Sequence, residues 1–232
     1  MTVVGCVIPA AGRGERLGGP LPKALRTLRG MTLLEHSLRA ISAERDVAEI
    51  VVAAPVDYVA EIRAVADSSA VSATIRVVPG GAERTDSVRR GIAALRSDPD
   101  VILVHDAARP LVPLEVTRRV IAACEGGAPA VVPGVPVTDT VKQVDEAGRV
   151  VRTVPRSDLR AIQTPQGFHA EVLAKALEIS SETATDDASL VEQLGVPVLV
   201  VPGHHDALKV TRPHDLMTAE AILRKRQVDH VR

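Results

Sequence analysis

Apolar and polar positions along the chain follow two rhythms. Short runs rich in β-branched residues, Val3–Ile8, Ile50–Ala54, Ile75–Val78, Val101–Val104, Ala130–Val132 and Val198–Val201, mostly lack polar alternation. Strands buried on both faces read this way, so the runs predict interior strands. Between them, apolar residues recur three and four apart: Leu34, Leu38 and Ile41; Val59, Ile62 and Val65; Val88, Ile92 and Leu95; Val116, Val120 and Cys124. That period predicts amphipathic helices crossing from strand to strand. Thr32 with Glu35 three residues on has the form of a capping box, while Asp86 and Pro213 stand where an N-cap and a first-turn proline would open later helices. Repeated strand–helix units predict an α/β fold, a mostly parallel sheet covered by helices on both faces. Its ligands collect beyond the carboxyl ends of the strands.

One segment breaks the alternation. From Val135 to Arg156, Val137, Val141, Val144, Val150 and Val151 are mixed with charges, and Glu146-Ala147-Gly148 reads as a hairpin turn. We expect a projecting β-arm over 135–156. The core cannot cover its valines if it projects, so the alternatives are an edge hairpin or a contact with a second copy.

Composition narrows the function. Of 232 residues, 46% are hydrophobic and 25% charged, with 28 basic against 29 acidic side chains. These values fit a single domain over 1–232 with a full core. Balanced charge gives no uniform basic field for a polyanion, so no nucleic acid partner is expected. One Phe, one Tyr and no Trp leave an aliphatic core and no stacking surface for bases. No uncharged apolar stretch reaches the roughly 18 residues of a membrane span, and the first residues lack the basic start of a signal peptide. Cys6 and Cys124 have neither metal-ligand nor redox spacing, and two isolated buried thiols suit a reducing cytoplasm. No internal repeat or linker stands out, and the cluster at residues 224–226 reads as a solvated helix end.

After the first strand the chain runs Pro9-Ala10-Ala11-Gly12-Arg13-Gly14-Glu15-Arg16-Leu17-Gly18-Gly19-Pro20-Leu21-Pro22-Lys23. Small residues there let a phosphate approach backbone N–H groups. The dinucleotide pattern would need glycine where Leu17 stands, and the P-loop pattern breaks at Pro20. What remains is a glycine loop bearing Arg13, Arg16 and Lys23, fixed cations of the kind that transfer at phosphorus uses. Asp106 ends the apolar run 101–104, where a carboxylate could hold a divalent cation against phosphates or cap a helix. His204, His205 and Asp206 are adjacent rather than spaced, which argues against zinc.

Residues 9–16 with Pro22-Lys23 resemble the signature of the 2-C-methyl-D-erythritol 4-phosphate cytidylyltransferases, CTP-using enzymes of non-mevalonate isoprenoid synthesis. Further motifs match in order: Gly80-Gly81-Ala82-Glu83-Arg84-Thr85-Asp86-Ser87-Val88, Val104-His105-Asp106-Ala107-Ala108-Arg109-Pro110, Thr164-Pro165-Gln166, Thr185-Asp186-Asp187-Ala188-Ser189 and Lys209-Val210-Thr211-Arg212-Pro213. The resemblance spans nearly the whole chain and implies a Rossmann-like nucleotidyltransferase domain that moves CMP from CTP to the sugar phosphate with Mg²⁺.

It implies that Arg16 and Lys23 stabilise the transition state and that Lys209 acts with them. The nucleotide would lie against Pro9, Ala10, Ala11, Gly12, Gly14, Gly81, Ala82, Ser87 and Ala107, and the metal against Asp106, with Asp206 as a second ligand. The acceptor would meet Thr140, Thr164, Thr185, Lys209, Arg109 and, from a partner's arm, Arg156, which makes a homodimer with shared sites. Relatives often carry a polar residue at the place of Ala82. His105 is expected to pack or hydrogen-bond, because a phosphate nucleophile needs no base. The rival readings are a cytidylyltransferase for another polyol phosphate, such as ribitol 5-phosphate, and a nucleotide-binding subunit without catalysis. Nothing after Arg232 would hold a fused second enzyme, so one activity is expected.

Overall fold

A computed structural model of the chain describes residues 2–12, 14–179 and 186–231. Its strands are β1 (Val4–Pro9), β2 (Thr27–Leu28), β3 (Met31–Thr32), β4 (Val47–Ala54), β5 (Thr74–Pro79), β6 (Val101–Val104), β7 (Ala130–Pro136), β8 (Val141–Val144), β9 (Val150–Val154), β10 (Arg160–Ile162), β11 (Gln166–His169) and β12 (Leu199–Pro202). The helices are α1 (Leu33–Ser42), α2 (Val59–Ser68), α3 (Arg84–Ala93), α4 (Leu114–Glu125), α5 (Ala170–Ile179), α6 (Asp187–Gln193) and α7 (Pro213–Val231).

The main sheet runs β10-β7-β11-β6-β1-β4-β5, with β12 also on β7. Strands β6, β1, β4 and β5 are parallel neighbours, as the strand–helix alternation predicts. Beyond β6 the order changes, because β11 inserts antiparallel between β6 and β7. Adjacent residues of one strand feed opposite sides of the sheet. Cys6, Ile8 and Leu103 pack with Leu34, Leu38, Ile62 and Val120 from α1, α2 and α4. Val7, Ile102 and Val104 pack with Val88, Leu173 and Leu190 from α3, α5 and α6. Both faces are therefore covered, and each fully buried aliphatic side chain contributes about 1.5–3 kcal/mol. Burial raises the thiol pKa of Cys6 and pushes that of Cys124 up to about 12, as expected of thiols that only pack.

A third apolar cluster lies beside the sheet and joins distant segments. Leu17, Leu28, Leu33, Leu111, Val210 and Ala219 meet there, tying the glycine loop and residue 210 to α7. Helix α7 begins at Pro213 as predicted. Arg226 donates to the Leu111 carbonyl and to Asp206, both at 2.8 Å, so this part of the basic cluster is a fastening rather than a solvated end.

Local signals fare differently. Thr32 Oγ1 accepts from the Glu35 N–H at 3.1 Å, but the Glu35 carboxylate turns to Arg39 instead of closing the box. Asp86 is not an N-cap: α3 opens at Arg84, two residues earlier, and ends at Ala93 short of Leu95. Asp86 instead sits in the first turn and pairs with Arg89, a favourable place for an acid near the positive end of the helix dipole. The arm is narrower than 135–156, since β7 keeps residues up to Pro136 in the main sheet. Strands β8 and β9 form a separate two-stranded sheet. Its turn is organised by Asp145, whose Oδ1 accepts from the N–H groups of Ala147 and Arg149.

Helix α3 passes close over β1. A Cβ added at Gly91 would lie 2.4 Å from Val7 Cγ1. Gly91→Ala should therefore cost about 1–3 kcal/mol by overpacking. For a chain of this size that lowers Tm by about 2–4 °C per kcal/mol, and calorimetry would read it.

Candidate active site

Because β1, β4, β5 and β6 are parallel, the loops leaving their carboxyl ends converge. They enclose an open cavity of about 260 Å³. The lining includes Pro9, Ala10, Ala11, Gly12, Gly14, Arg16, Lys23, Gly81, Ala82, Ser87, Asp106, Ala107 and Lys209, together with Glu83, Arg84 and Ala108. A wider recess of about 780 Å³ adjoins it across Gly12, Arg16 and Ala82 and reaches Val56 and Asp57.

The glycine loop is held at both ends. The Ala10 N–H donates to the Ala53 carbonyl at 2.8 Å, and the Leu17 N–H to the Gly14 carbonyl at 2.9 Å. Gly14 has φ +70°, and a Cβ there would lie 2.6 Å from Lys23 Cβ, so only glycine lets the loop fold back against Lys23. Arg26 donates to the Gly18 carbonyl and closes the return. The loop after β5 has its own braces. The Ser87 hydroxyl accepts from the Gly81 N–H at 3.0 Å and donates to the Glu83 carbonyl at 3.1 Å, while Arg90 donates to the Gly80 carbonyl at 2.7 Å.

Asp106 is the electrostatic centre. Its carboxylate lies 2.7 Å from Lys209 Nζ and 3.5 Å from Arg84 Nη2. Burial pushes its pKa up, but Arg84 and Lys209 together outweigh this and hold it well below the ordinary carboxylate range. The N-cap alternative fails, since no helix starts there: α4 begins at Leu114 behind Pro113. Lys209 is held beside Asp106 because the next residue, Val210, donates its N–H to the Ala108 carbonyl at 2.8 Å. Burial and then the nearby Lys209 ammonium lower the Lys23 amine from 10.5 to about 8.

This constellation agrees with what the chain resembles as a whole. The family model described as IspD, 2-C-methyl-D-erythritol 4-phosphate cytidylyltransferase, matches residues 4–225. The chain belongs to this family. A 2-C-methyl-D-erythritol 4-phosphate cytidylyltransferase of Streptomyces avermitilis is 52% identical over 231 residues, covering 96% of this chain and 92% of the relative. The Saccharopolyspora erythraea protein of the same name is 53% identical over 226 residues, covering 96% of this chain and 100% of its own. Among solved structures, the Thermus thermophilus cytidylyltransferase superposes with a TM-score of 0.77 at 37% identity, covering 97% of this chain and 100% of that one.

The remaining residues singled out from the family signature lie as follows. Thr164 is buried; its hydroxyl accepts from the Asp106 N–H at 3.0 Å and lies 3.1 Å from His105 Nδ1. His105 is fully buried, which lowers its pKa to about 4 and keeps it neutral. The Arg109 guanidinium is engaged by main-chain carbonyls of Ala207 at 2.7 Å and Ile162 at 3.0 Å. Thr140 and Arg156 are exposed at the two feet of the β8–β9 arm, where Arg156 donates to the Thr138 carbonyl, and neither lines this cavity. Asp206, expected as a second metal ligand, instead pairs with Arg226 and is absent from the lining. Arg13 and Thr185 lie outside the described residues.

Among the described residues no three His, Cys, Asp or Glu side chains gather into a metal cage. Asp106 nevertheless fits a magnesium ion, which commonly binds through one or two carboxylates and the substrate's phosphates. Sequence reasoning gave Arg84 no role although its motif was in view. The guanidinium's partners, Asp106 and Asp187, are remote in the chain, so only the fold pairs them.

The crowding of Lys23 is open to direct measurement. By heteronuclear NMR its side chain should titrate near pH 8. Lys209→Ala should move that titration upward, because a like charge next to Lys23 is removed. An ordinary lysine titration, or one insensitive to Lys209, would contradict the site's electrostatics.

Proposed function

We propose that this protein transfers CMP from CTP to 2-C-methyl-D-erythritol 4-phosphate, giving 4-diphosphocytidyl-2-C-methyl-D-erythritol and pyrophosphate. The observation that carries this reading is the convergence of Arg16, Lys23, Arg84 and Lys209 on one cavity at a glycine loop. An oxygen of the acceptor's phosphate attacks the α-phosphorus of CTP in line. The new P–O bond forms as the bond to the bridging oxygen of the β-phosphate breaks, and pyrophosphate leaves with that electron pair. A phosphate monoester has a second pKa of about 6 and is already ionised, so no general base is required. The protein's task is to supply position and positive charge.

Arg16 and Lys23 hold the triphosphate and stabilise the pentavalent transition state. Lys209, anchored by Asp106, holds the acceptor phosphate. Backbone groups of residues 9–14 and 81–82 surround the nucleotide, and the small side chains of Ala10, Ala11, Ala82 and Ala107 leave room for it. Because Ser87 is engaged by its own loop, the main chain of residues 81 and 82 carries the base contact. Asp106 would hold Mg²⁺, whose charge, when bound, offsets that of the phosphates.

Arg156 and Thr140 serve the acceptor from the arm of a second copy. Exposure of Val144 at 53%, Val150 at 59% and Val151 at 60% supports a homodimer that covers them. The free, buried cysteines suit a reducing cytoplasm.

Pyrophosphate release with Mg²⁺ tests the reading, with CTP, ATP, GTP or UTP as donor and methylerythritol 4-phosphate or ribitol 5-phosphate as acceptor. Release is expected for CTP with the methylerythritol phosphate; preference for ribitol phosphate would change the substrate and keep the chemistry. Lys23→Ala should cut kcat at least about a hundredfold, the ~3–4 kcal/mol lost with one preorganised donor, while the fold survives. Arg156→Ala should raise the KM for the acceptor and leave that for CTP unchanged. An unaltered acceptor KM would rule out the shared site.

A further inference from the structure

Asp187 opens α6 and its side chain is 1% exposed. Neither carboxylate oxygen has a well-formed hydrogen bond, and Arg84 Nη1 lies 2.7 Å from Oδ2. The other end of the Arg84 fork faces Asp106, and Asp106 faces Lys209. Four side chains from separate segments thus alternate in sign along one row: Asp187, Arg84, Asp106 and Lys209. The negative end is sealed in the protein. The positive end, Lys209, is 42% exposed and opens on the cavity.

Stability alone does not account for such a row. Buried ion pairs lose so much hydration that apolar residues of similar volume often hold a fold equally well. Burial raises the Asp187 pKa in spite of Arg84, so the ionised carboxylate is kept at a cost. Nor does Asp187 follow Arg84 passively, because Gln166 fixes the start of α6. Gln166 Nε2 donates to Asp186 Oδ2 at 2.9 Å, and its Oε1 accepts from the Ala188 N–H at 3.2 Å. A rigid anion therefore stands behind Arg84, and the guanidinium spans from it to Asp106.

We propose that Asp187 and Arg84 are positioning residues that fix Asp106 and, through it, aim the Lys209 ammonium at the acceptor phosphate. This rests on the reading of Lys209 as the cation for that phosphate. An ammonium beside a lone, mobile carboxylate would sample many directions. Beside a carboxylate clamped from behind, it keeps one, and small misplacements at a reacting phosphate cost about a hundredfold in rate.

Asp187→Asn keeps the shape of the side chain and removes its charge. We expect kcat to fall about tenfold to a hundredfold, with the KM for CTP within about twofold and Tm held. In a Lys209→Ala background the same substitution should cost less than about twofold, since the group it aims is gone. Equal losses in both backgrounds, or a lowered Tm with kcat intact, would overturn the proposal. Arg84→Lys is the companion variant: it keeps the charge but cannot span both carboxylates, so the same loss of kcat is expected and an unchanged kcat refutes the relay. Calorimetric binding of methylerythritol 4-phosphate runs the same cycle without turnover. A protein that binds this acceptor but releases no pyrophosphate would refute the functional reading while the binding cycle still judged the relay.

Discussion

The carboxylate of Asp106, fixed between Arg84 and Lys209, is the interaction on which the cavity depends. Arg16, Lys23, Arg84 and Lys209 would otherwise repel one another around the one cavity they line. Asp106, even with Asp187 behind Arg84, cannot neutralise them all, and it does not need to. It fixes two of them and leaves the net field positive, which is the condition a polyphosphate requires. Asp106 can stay ionised at such depth only because those cations outweigh the cost of its burial.

The scaffold delivers these charges by ordinary packing. Strand β6 carries its last residue, Val104, into the core, so the chain leaves the sheet with His105 and Asp106 both buried and Asp106 lining the cavity. Strand β11 pairs with β6 so that Gln166 lies opposite Val104, which brings Thr164 onto the Asp106 backbone. The apolar cluster of Leu17, Leu111 and Val210 with α7 then ties the glycine loop and the segment bearing Lys209 to the same cavity as Asp106. Motifs far apart in sequence become one site because hydrophobic neighbours of their polar residues share a core.

Much of this was legible in the chain. The apolar runs of β1, β4 and β6 announce themselves because strands buried on two faces leave no polar residue between, whereas β5 lies at the sheet edge and carries Arg76 in its run. The Glu146-Ala147-Gly148 turn, the Pro213 helix start and the glycine loop are local signals, and local signals survive without tertiary knowledge. Strand β11 was not legible: Gln166-Gly167-Phe168-His169 has no strand pattern, and its pairing comes from the neighbours β6 and β7. Asp86 looked like a cap by composition, yet the braced loop at residues 80–83 starts α3 earlier. Asp206 entered as a second metal ligand through the family resemblance, and only the path of α7 reveals Arg226 as its partner. Polar partners on separate segments, 22 residues apart for Asp106 and 103 for Asp187, leave no periodic trace, so the Arg84 pairings come only from the fold.

The depressed amine of Lys23 ties the site's electrostatics to its chemistry. In the free protein Lys23 is crowded by Lys209 and Arg16 and partly dehydrated, and both effects disfavour its charge. A triphosphate entering the cavity reverses the first effect, since each cation then gains an anion at closer range than its cationic neighbour. Repulsion among these cations is thereby relieved when a polyphosphate arrives, and the gain is largest where negative charge is densest. On the proposed reading of the site, the charge leaving with pyrophosphate builds on that side of the α-phosphorus, next to Arg16 and Lys23. A cluster that is unfavourable in the free protein is in this way more strongly satisfied by the transition state than by either neutral or singly charged ligands, which is what differential binding demands of a catalyst.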